Sequence, residues 1–451
     1  MTLYLVSPSP PTGNNRRIEL TGNDLWFIAR IDNVFVYPSD LNVDRFREAL
    51  GRALSLWPLI SGRFLLLDGD HYVIEMSDNP IPISLTDNTE LTKWSLDSNV
   101  VIETTQNPLL PFLDEVQNEK LLRGFPPEPL FRLKLTRIVQ SGEWIMGASW
   151  AHMLGDTAAC LGFLNTISRL YQQMEPLKPL PVFERRLWRE DEADQSLLPI
   201  MKPLRDGGTI EKMMENFMAD QVTHRQVNMC FSAEQLAKLR TLAGGTSVTT
   251  QDALSAYIIL TLNNNYFESD DQLILRSNTV ASCRGVSDSI TPPGLVANAV
   301  FIILSEDFDD PRSLSSIAKA IRRSIVRARD VKFLETWLAT ADGLMKKMAR
   351  ENRLISMDYY SNEIVVNSNF RYDWAGLVDF GHTDKCRFYT SGTSALYVRV
   401  FRLNPVNDGT QWLSRDRDGA EVAFRVKKDM KKKFIDAWKK DINENFTNVR
   451  I

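Results

Sequence analysis

At 451 residues, with 43 % hydrophobic and 24 % charged side chains, the chain has a folded globular composition and exceeds what one core organises, so two domains are expected. Lysine and arginine number 53 against 57 aspartate and glutamate, a formal charge of −4 without the basic surplus of a nucleic-acid binder. No apolar run approaches the roughly 20 residues that cross a bilayer, and residues 1–8 lack the basic flank and apolar length of a secretion signal.

Residues 25–36 read as extended and apolar, and 43–56 as an amphipathic helix that turns Phe46, Leu50, Ala53 and Leu54 inward. Segments 64–67 and 72–75 flank the hairpin signal Asp68-Gly69-Asp70, and 130–139 and 144–150 flank Gln140-Ser141-Gly142 in the same way. Residues 143–151, rich in Trp, Ile, Met and small side chains, predict a mostly buried strand. Asp156 and Thr157 then open a helix whose apolar positions Ala159, Leu161, Phe163, Leu164, Ile167 and Leu170 recur at helical spacing. Between Glu175 and about Pro203, prolines and the blocks Glu184-Arg185-Arg186 and Arg189-Glu190-Asp191-Glu192 mark an irregular crossover. The expected layout is a first domain over 1–176, a linker over 177–205 and a second domain over 206–451.

In the second half, 227–231 predicts a strand, and Ser232-Ala233-Glu234-Gln235 opens a helix as a capping box. Residues 252–262 predict a helix, 273–280 a strand, 296–304 a buried strand and 313–329 a helix with a basic outer face. Strands at 363–369, 395–403 and 421–426 follow, with a closing helix at 428–442. Strands and helices mix without strict alternation, which makes the fold class α/β or α+β. The run Lys427-Lys428, Lys431-Lys432-Lys433 reads as the solvated face of the last helix, with attraction of an anionic cofactor as the alternative.

The four cysteines, Cys160, Cys230, Cys283 and Cys386, are scattered without metal-ligand spacing. Cys160 and Cys283 read as core thiols, no metal is expected, and a reduced, cytoplasmic setting fits. Asn445-Phe446-Thr447 is a glycosylation sequon only in form. The sequence has no Gly-x-Ser-x-Gly elbow, Walker loop, dinucleotide glycine fingerprint or His-Glu-x-x-His, and Ser149 lies inside a strand without a companion base.

The chemistry centres on Trp150-Ala151-His152-Met153-Leu154-Gly155-Asp156. His152 stands where a buried strand ends, a position from which a side chain reaches a cleft. With an ordinary pKa of ~6.5, a neutral imidazole there takes a proton from an alcohol or amine. A packed strand-end histidine has the same spacing, so the residues alone leave both readings open. His71 reads as an exposed strand residue, His224 lies in a polar segment without an evident partner, and His382 follows Asp379-Phe380-Gly381 in a loop.

His152-Met153-Leu154-Gly155-Asp156 resembles the His-x-x-x-Asp motif of the BAHD acyltransferases, and Val378-Asp379-Phe380-Gly381-His382-Thr383 resembles their Asp-Phe-Gly-Trp-Gly signature. Weaker echoes are Leu20-Thr21-Gly22-Asn23-Asp24 (Leu-Ser-x-x-Asp), Trp57-Pro58-Leu59-Ile60-Ser61-Gly62-Arg63 (Tyr-Pro-Leu-Ala-Gly-Arg), Ser282-Cys283-Arg284 (Asp-x-Arg) and Leu295-Val296-Ala297-Asn298 (Tyr-Phe-Gly-Asn). The resemblance implies two similar mixed-sheet domains of the chloramphenicol-acetyltransferase-like type, with the active site in a channel between them. It implies transfer from acyl-CoA, as co-substrate, to the hydroxyl or amine of a small-molecule acceptor, by a monomer without covalent acyl-enzyme. His152 would be the general base. Asp156 would point away from the channel and pair with Arg284, while Asp379 and Gly381 would shape a loop near the cofactor's entrance. Thr249 and Thr250 would line the cofactor side, and residues 387–408 would return to the first domain.

Several positions depart from the pattern. His382 and Thr383 replace the Trp and Gly of the second signature, and Thr157 replaces the usual Gly after Asp156. Where many plant members carry Thr or Ser, then Trp two residues on, this chain has Ser368-Asn369-Phe370, so the hydroxyl survives and the indole donor is gone. Loss of one oxyanion donor costs ~10²-fold or more unless replaced, which puts Ser368, Asn369 or water in that role. The departures suggest a divergent member, nearer to fungal than to plant representatives. Two other readings carry the same fold. A silent scaffold is opposed by retention of His152 and Asp156, and a free-standing condensation-type domain with carrier-bound substrates by Ala151 in place of that class's second histidine.

Overall fold

The computed structural model describes residues 1–446 apart from 27–28, 70, 97, 124–127 and 357–359; Asp70 of the expected hairpin turn and Thr447 of the sequon lie outside them. Seven strands form the first sheet, in the order Thr2–Val6, Ile81–Asn88, Phe131–Ile138, Trp144–Ala151, Arg30–Tyr37, Arg387–Ser391 and Val101–Ile102. It is mixed: Ile81–Asn88 runs parallel to Phe131–Ile138, and Trp144–Ala151 is antiparallel to both its neighbours. That central strand is buried along its whole length. Met146, Ala148 and Trp150 join the core under the Val43–Leu56 and Thr157–Tyr171 helices, and Ile145 faces Trp94, Leu109 and Phe112 on the other side. Cover on both faces explains a continuous apolar run in place of alternation. Gly147 belongs to this arrangement, because a Cβ there would run into the Phe112 carbonyl.

The second sheet has six strands, ordered His224–Phe231, Ala420–Lys427, Tyr397–Arg402, Glu363–Ser368, Arg276–Ser282 and Val300–Leu304. Val227, Val366, Val400, Val422 and Phe424 pack there with Leu254, Ile258, Ile321 and Phe434 from the helices Thr250–Asn265, Leu314–Ala328 and Lys431–Asp441. The result is α/β with two mixed-sheet halves.

Three expectations need correction. The expected return of 387–408 is shorter, since only Arg387–Ser391 enters the first sheet. Gly392, at φ +97°, turns the chain away, and Tyr397–Arg402 pairs in the second sheet, where Val398 and Val400 are buried. The strand expected over 296–304 begins only at Val300, and 296–299 is irregular. His224 does have partners: its Nδ1 lies 3.3 Å from Asp220 and 2.9 Å from the Thr223 hydroxyl. Two helices also lie where none was read, Ile210–Thr223 and the twenty-residue Val331–Arg350.

Buried polar groups tie the halves together. Glu421, on the second sheet, accepts the main-chain N–H groups of Val100 (2.6 Å) and Val101 (2.9 Å) and the Asn228 amide (2.8 Å), while burial pushes its pKa up to about 7. Arg425, fully buried, pairs with Glu103 and with Asp220 at 2.9 Å.

Candidate active site

The Trp144–Ala151 strand delivers His152 into a single 3₁₀ turn, His152–Leu154. Gly155 follows at φ +149°, and a Cβ there would sit 2.8 Å from the Ala159 methyl, so glycine suits both the backbone and the space. Asp156 then caps the Thr157–Tyr171 helix, its Oδ1 accepting Ala158 N–H at 3.0 Å and Ala159 N–H at 3.2 Å. A carboxylate belongs there because the first helical N–H groups have no partner of their own.

Residues 294–299, from the second half, clasp this turn from outside. Arg284 pairs with Asp156 Oδ2 and donates to the carbonyls of Leu295 (3.2 Å) and Ala297 (3.1 Å). Ala299 N–H donates to Asp156 Oδ2 at 3.1 Å, and Asp156 N–H to the Ala297 carbonyl at 3.3 Å. Asn298 donates from Nδ2 to the His152 carbonyl at 2.7 Å and from its main-chain N–H to Asp24 Oδ1 at 3.0 Å. Asp24 in turn pairs at 3.1 Å with Arg185 of the crossover, both side chains nearly inaccessible. The histidine turn is thus fixed by two buried ion pairs, each joining segments far apart in sequence.

A cavity of about 710 Å³ opens at this point, walled by His152, Trp26 and Asp156 from the first half and by Val280, Phe301, Trp337 and residues 367–372 from the second. His152 is half-buried, with its ring centroid 5.6 Å from that of Trp26. Burial lowers the imidazole pKa below its ordinary value, while its own main chain, Asp156, Asn298 and Asp24 pull it partly back. The ring is therefore biased toward the neutral, proton-accepting form. Asp156 borders the cavity, but its carboxylate oxygens are occupied by the Ala158, Ala159 and Ala299 N–H groups and by Arg284.

The remaining expected residues divide in two. Ser368, Asn369, Phe370 and Thr249 line the cavity. The Ser368 hydroxyl donates to Gln251 Oε1 at 2.6 Å, so its proton is already engaged. The Asn369 main chain is tied to Val400 and Tyr372, and the residue, 5 % exposed, borders the cavity. Thr249 is the helix cap, its hydroxyl accepting Asp252 N–H at 3.2 Å and its own main-chain N–H donating to the Asp252 carboxylate at 2.8 Å. Thr250 does not border the cavity, and neither do Asp379 and Gly381. Asp379 accepts from Gly381 N–H (2.9 Å), Gln172 (3.1 Å) and Thr383 (3.2 Å), and Phe380 packs on Tyr37, Phe46 and Tyr171 in the first core. That loop braces the helix after His152. Trp26 was not read as a site residue. A lone aromatic in an apolar stretch carries no sequence signal for standing beside a histidine 126 positions on.

Among the described residues no helix is long and apolar enough to cross a membrane. A sequence model of the Transferase family matches residues 1–412. Among solved structures, vinorine synthase is similar at a TM-score of 0.62 and 14 % identity, over 96 % of this chain and 95 % of that one. TRI101 of F. graminearum, crystallised with coenzyme A and T-2 mycotoxin, is similar at 0.60 and 14 %, over 95 % and 98 %. The X-domain from teicoplanin biosynthesis is similar at 0.56 and 12 %, over 96 % of each chain. No curated protein matches the sequence. With the family match spanning most of its length, the chain belongs to the Transferase family, as a BAHD-type acyltransferase.

Proposed function

We propose that the protein moves an acyl group from an acyl-CoA thioester to the hydroxyl, or amine, of a small-molecule acceptor, with His152 as general base. The observation that carries this reading is a half-buried imidazole, biased toward its neutral form, opening onto a cavity that both halves wall. A similar fold crystallised with both coenzyme A and a small molecule supports it. His152 Nε2 takes the acceptor's proton as the acceptor oxygen or nitrogen attacks the thioester carbon. The C–S bond of the tetrahedral intermediate then breaks, and the imidazolium returns the proton to the departing thiolate. No protein nucleophile is needed.

The developing oxyanion needs a donor that is not already engaged. Asn369 meets that condition better than Ser368, whose hydroxyl serves Gln251. Asn369→Ala is expected to lower kcat by about 10²-fold with little change in KM for acyl-CoA, and Ser368→Ala by less than about 10-fold. The reverse order in steady-state kinetics would move the role to the hydroxyl. Thr249, at a helix start on the cavity wall, is the element proposed to face the cofactor side.

The lowered pKa of His152 also sets a pH dependence. Activity needs the neutral ring, so the acid limb of kcat/KM falls with a midpoint below 6.5, the imidazole's ordinary value. A limb centred above 6.5 in a pH–rate profile would contradict this environment. The experiment that tests the function itself is incubation with several acyl-CoAs and a metabolite extract, with free thiol and acylated products detected by mass. Turnover only with a carrier-bound thioester would favour the condensation-type reading, and no turnover with either donor the scaffold reading.

A further inference from the structure

The strand Glu363–Ser368 presents different chemistry on its two faces. Ile364 and Val366 join the second core with Leu254 and Ile258, and Ser368, on the same side, meets Gln251 at the start of the Thr250–Asn265 helix. By the alternation of a strand, Glu363, Val365 and Asn367 turn the opposite way, and all three line the cavity. Pairing sets Asn278 and Tyr397 beside Val365, and Val280 beside Asn367, on that same face. The cavity thus has one sheet face as its floor, with Val280 and Val365 as its apolar part. Two polar groupings flank them. At Glu363 both oxygens are taken, one by Lys202 and the other by the Asn278 amide at 2.7 Å. The second grouping is unfinished. Asn367 Nδ2 donates to the Tyr397 hydroxyl at 2.6 Å, and among the described residues neither side chain has a further hydrogen-bond partner. An amide carries two polar hydrogens and a phenol one, so whichever way the amide is turned, one is spent between the two residues and two remain. Both side chains are half-buried at the cavity wall. An apolar ligand covering them strands those hydrogens, whereas an oxygen set there accepts them.

We infer that Asn367 and Tyr397 determine specificity for the acceptor: together they bind a second oxygen of that molecule, distinct from the group that is acylated, while its apolar skeleton lies over Val280 and Val365. The inference rests on the proposed acyl transfer. The oxygen belongs to the acceptor and not to the acyl donor, because the proposed donor side lies behind the strand, where Gln251, two residues from Thr249, holds Ser368. The acceptor is therefore a largely hydrocarbon alcohol or amine that carries one more hydroxyl, carbonyl or ether oxygen. A plain hydrocarbon alcohol reaches the same floor and leaves the pair unanswered.

The test uses the full chain, several acyl-CoAs as donors and a matched set of probes: octanol, and octanediols with the second hydroxyl beside the first, at mid-chain or at the far end. Calorimetry measures their binding without turnover, and release of coenzyme A measures kcat/KM. At least one diol should exceed octanol by about 10–100-fold in both, short of the roughly 10⁴-fold of a sealed site because the pair is half-buried. The double variant Tyr397→Phe/Asn367→Leu should bring that ratio to within about 3-fold of one, with Tyr397→Phe alone in between. A merely structural role would lower octanol and diol together and keep the ratio. Equal binding of octanol and every diol by the parent, no binding of any probe, or an unchanged ratio in the double variant overturns the inference. Should the double variant fail to fold, Tyr397→Phe, which keeps the ring, decides by the same ratio. A diol preference in binding without transfer from any acyl-CoA would sink the proposed function and leave this binding site standing. Acyl transfer to acceptors of the metabolite extract without a diol preference would do the reverse.

Discussion

Replacing His152 with alanine lowers turnover by roughly 10²–10⁴-fold, the range that general-base catalysis contributes, and leaves the melting temperature close to that of the parent. The asymmetry comes from how the residue is held. Its main-chain N–H donates to Ala29 at 3.0 Å, and its carbonyl accepts from Asn298 and Gly155; alanine keeps all three bonds. The side chain adds a packing contact with Trp26 and no hydrogen bond that the structure records. Steady-state rates and a thermal melt on one preparation check both halves of the claim. Retention of the parental rate would remove His152 from the mechanism, and a rate loss matched by a large fall in melting temperature would make it a structural residue.

Asp156→Asn has the opposite signature, a loss of stability of about 3–5 kcal/mol with activity falling alongside. The side chain holds four donors: two helix N–H groups, the Ala299 N–H and Arg284. Asparagine keeps one accepting oxygen and puts an NH₂ against donors. The Arg284 guanidinium then stays mostly buried without its counter-charge. Denaturant melts of Asp156→Asn, Arg284→Met and the double variant measure the pair directly, with the double variant expected to lose less than the sum of the singles. Additive losses, or full stability of Asp156→Asn, would show that the pair does not hold the turn.

The legible parts of this molecule were those whose causes are local. The Val43–Leu56 helix, the two hairpins and the Ser232 capping box follow from spacing and turn chemistry within a few residues, and they stand where they were read. The turn from His152 to Asp156 was legible for the same reason. The Val331–Arg350 helix has equally local causes, with Asp330 as cap and Leu334, Trp337, Leu338, Ala341 and Met345 at helical spacing. The irregular 296–299 segment does not. Val296-Ala297-Asn298-Ala299 leads directly into the apolar Val300–Leu304 strand, yet its backbone groups are claimed by Val182, Asp24, Asp156 and Arg284, none of them near in sequence. The same holds for Trp26 beside the imidazole and for Gln251 on Ser368. Tertiary partners decided these, and nothing within a dozen residues announces them.

The strand Arg387–Ser391 has a consequence for how the chain comes to be made. It slots between Arg30–Tyr37 and Val101–Ile102, so the first ladder stays open until nearly nine-tenths of the polypeptide has left the ribosome. Throughout that interval Arg30–Tyr37 offers bare N–H and C=O groups along one side, the kind of edge that recruits stray strands. A nascent or truncated product ending before Arg387 carries the histidine turn together with that exposed seam, and aggregation is the hazard built into its biogenesis.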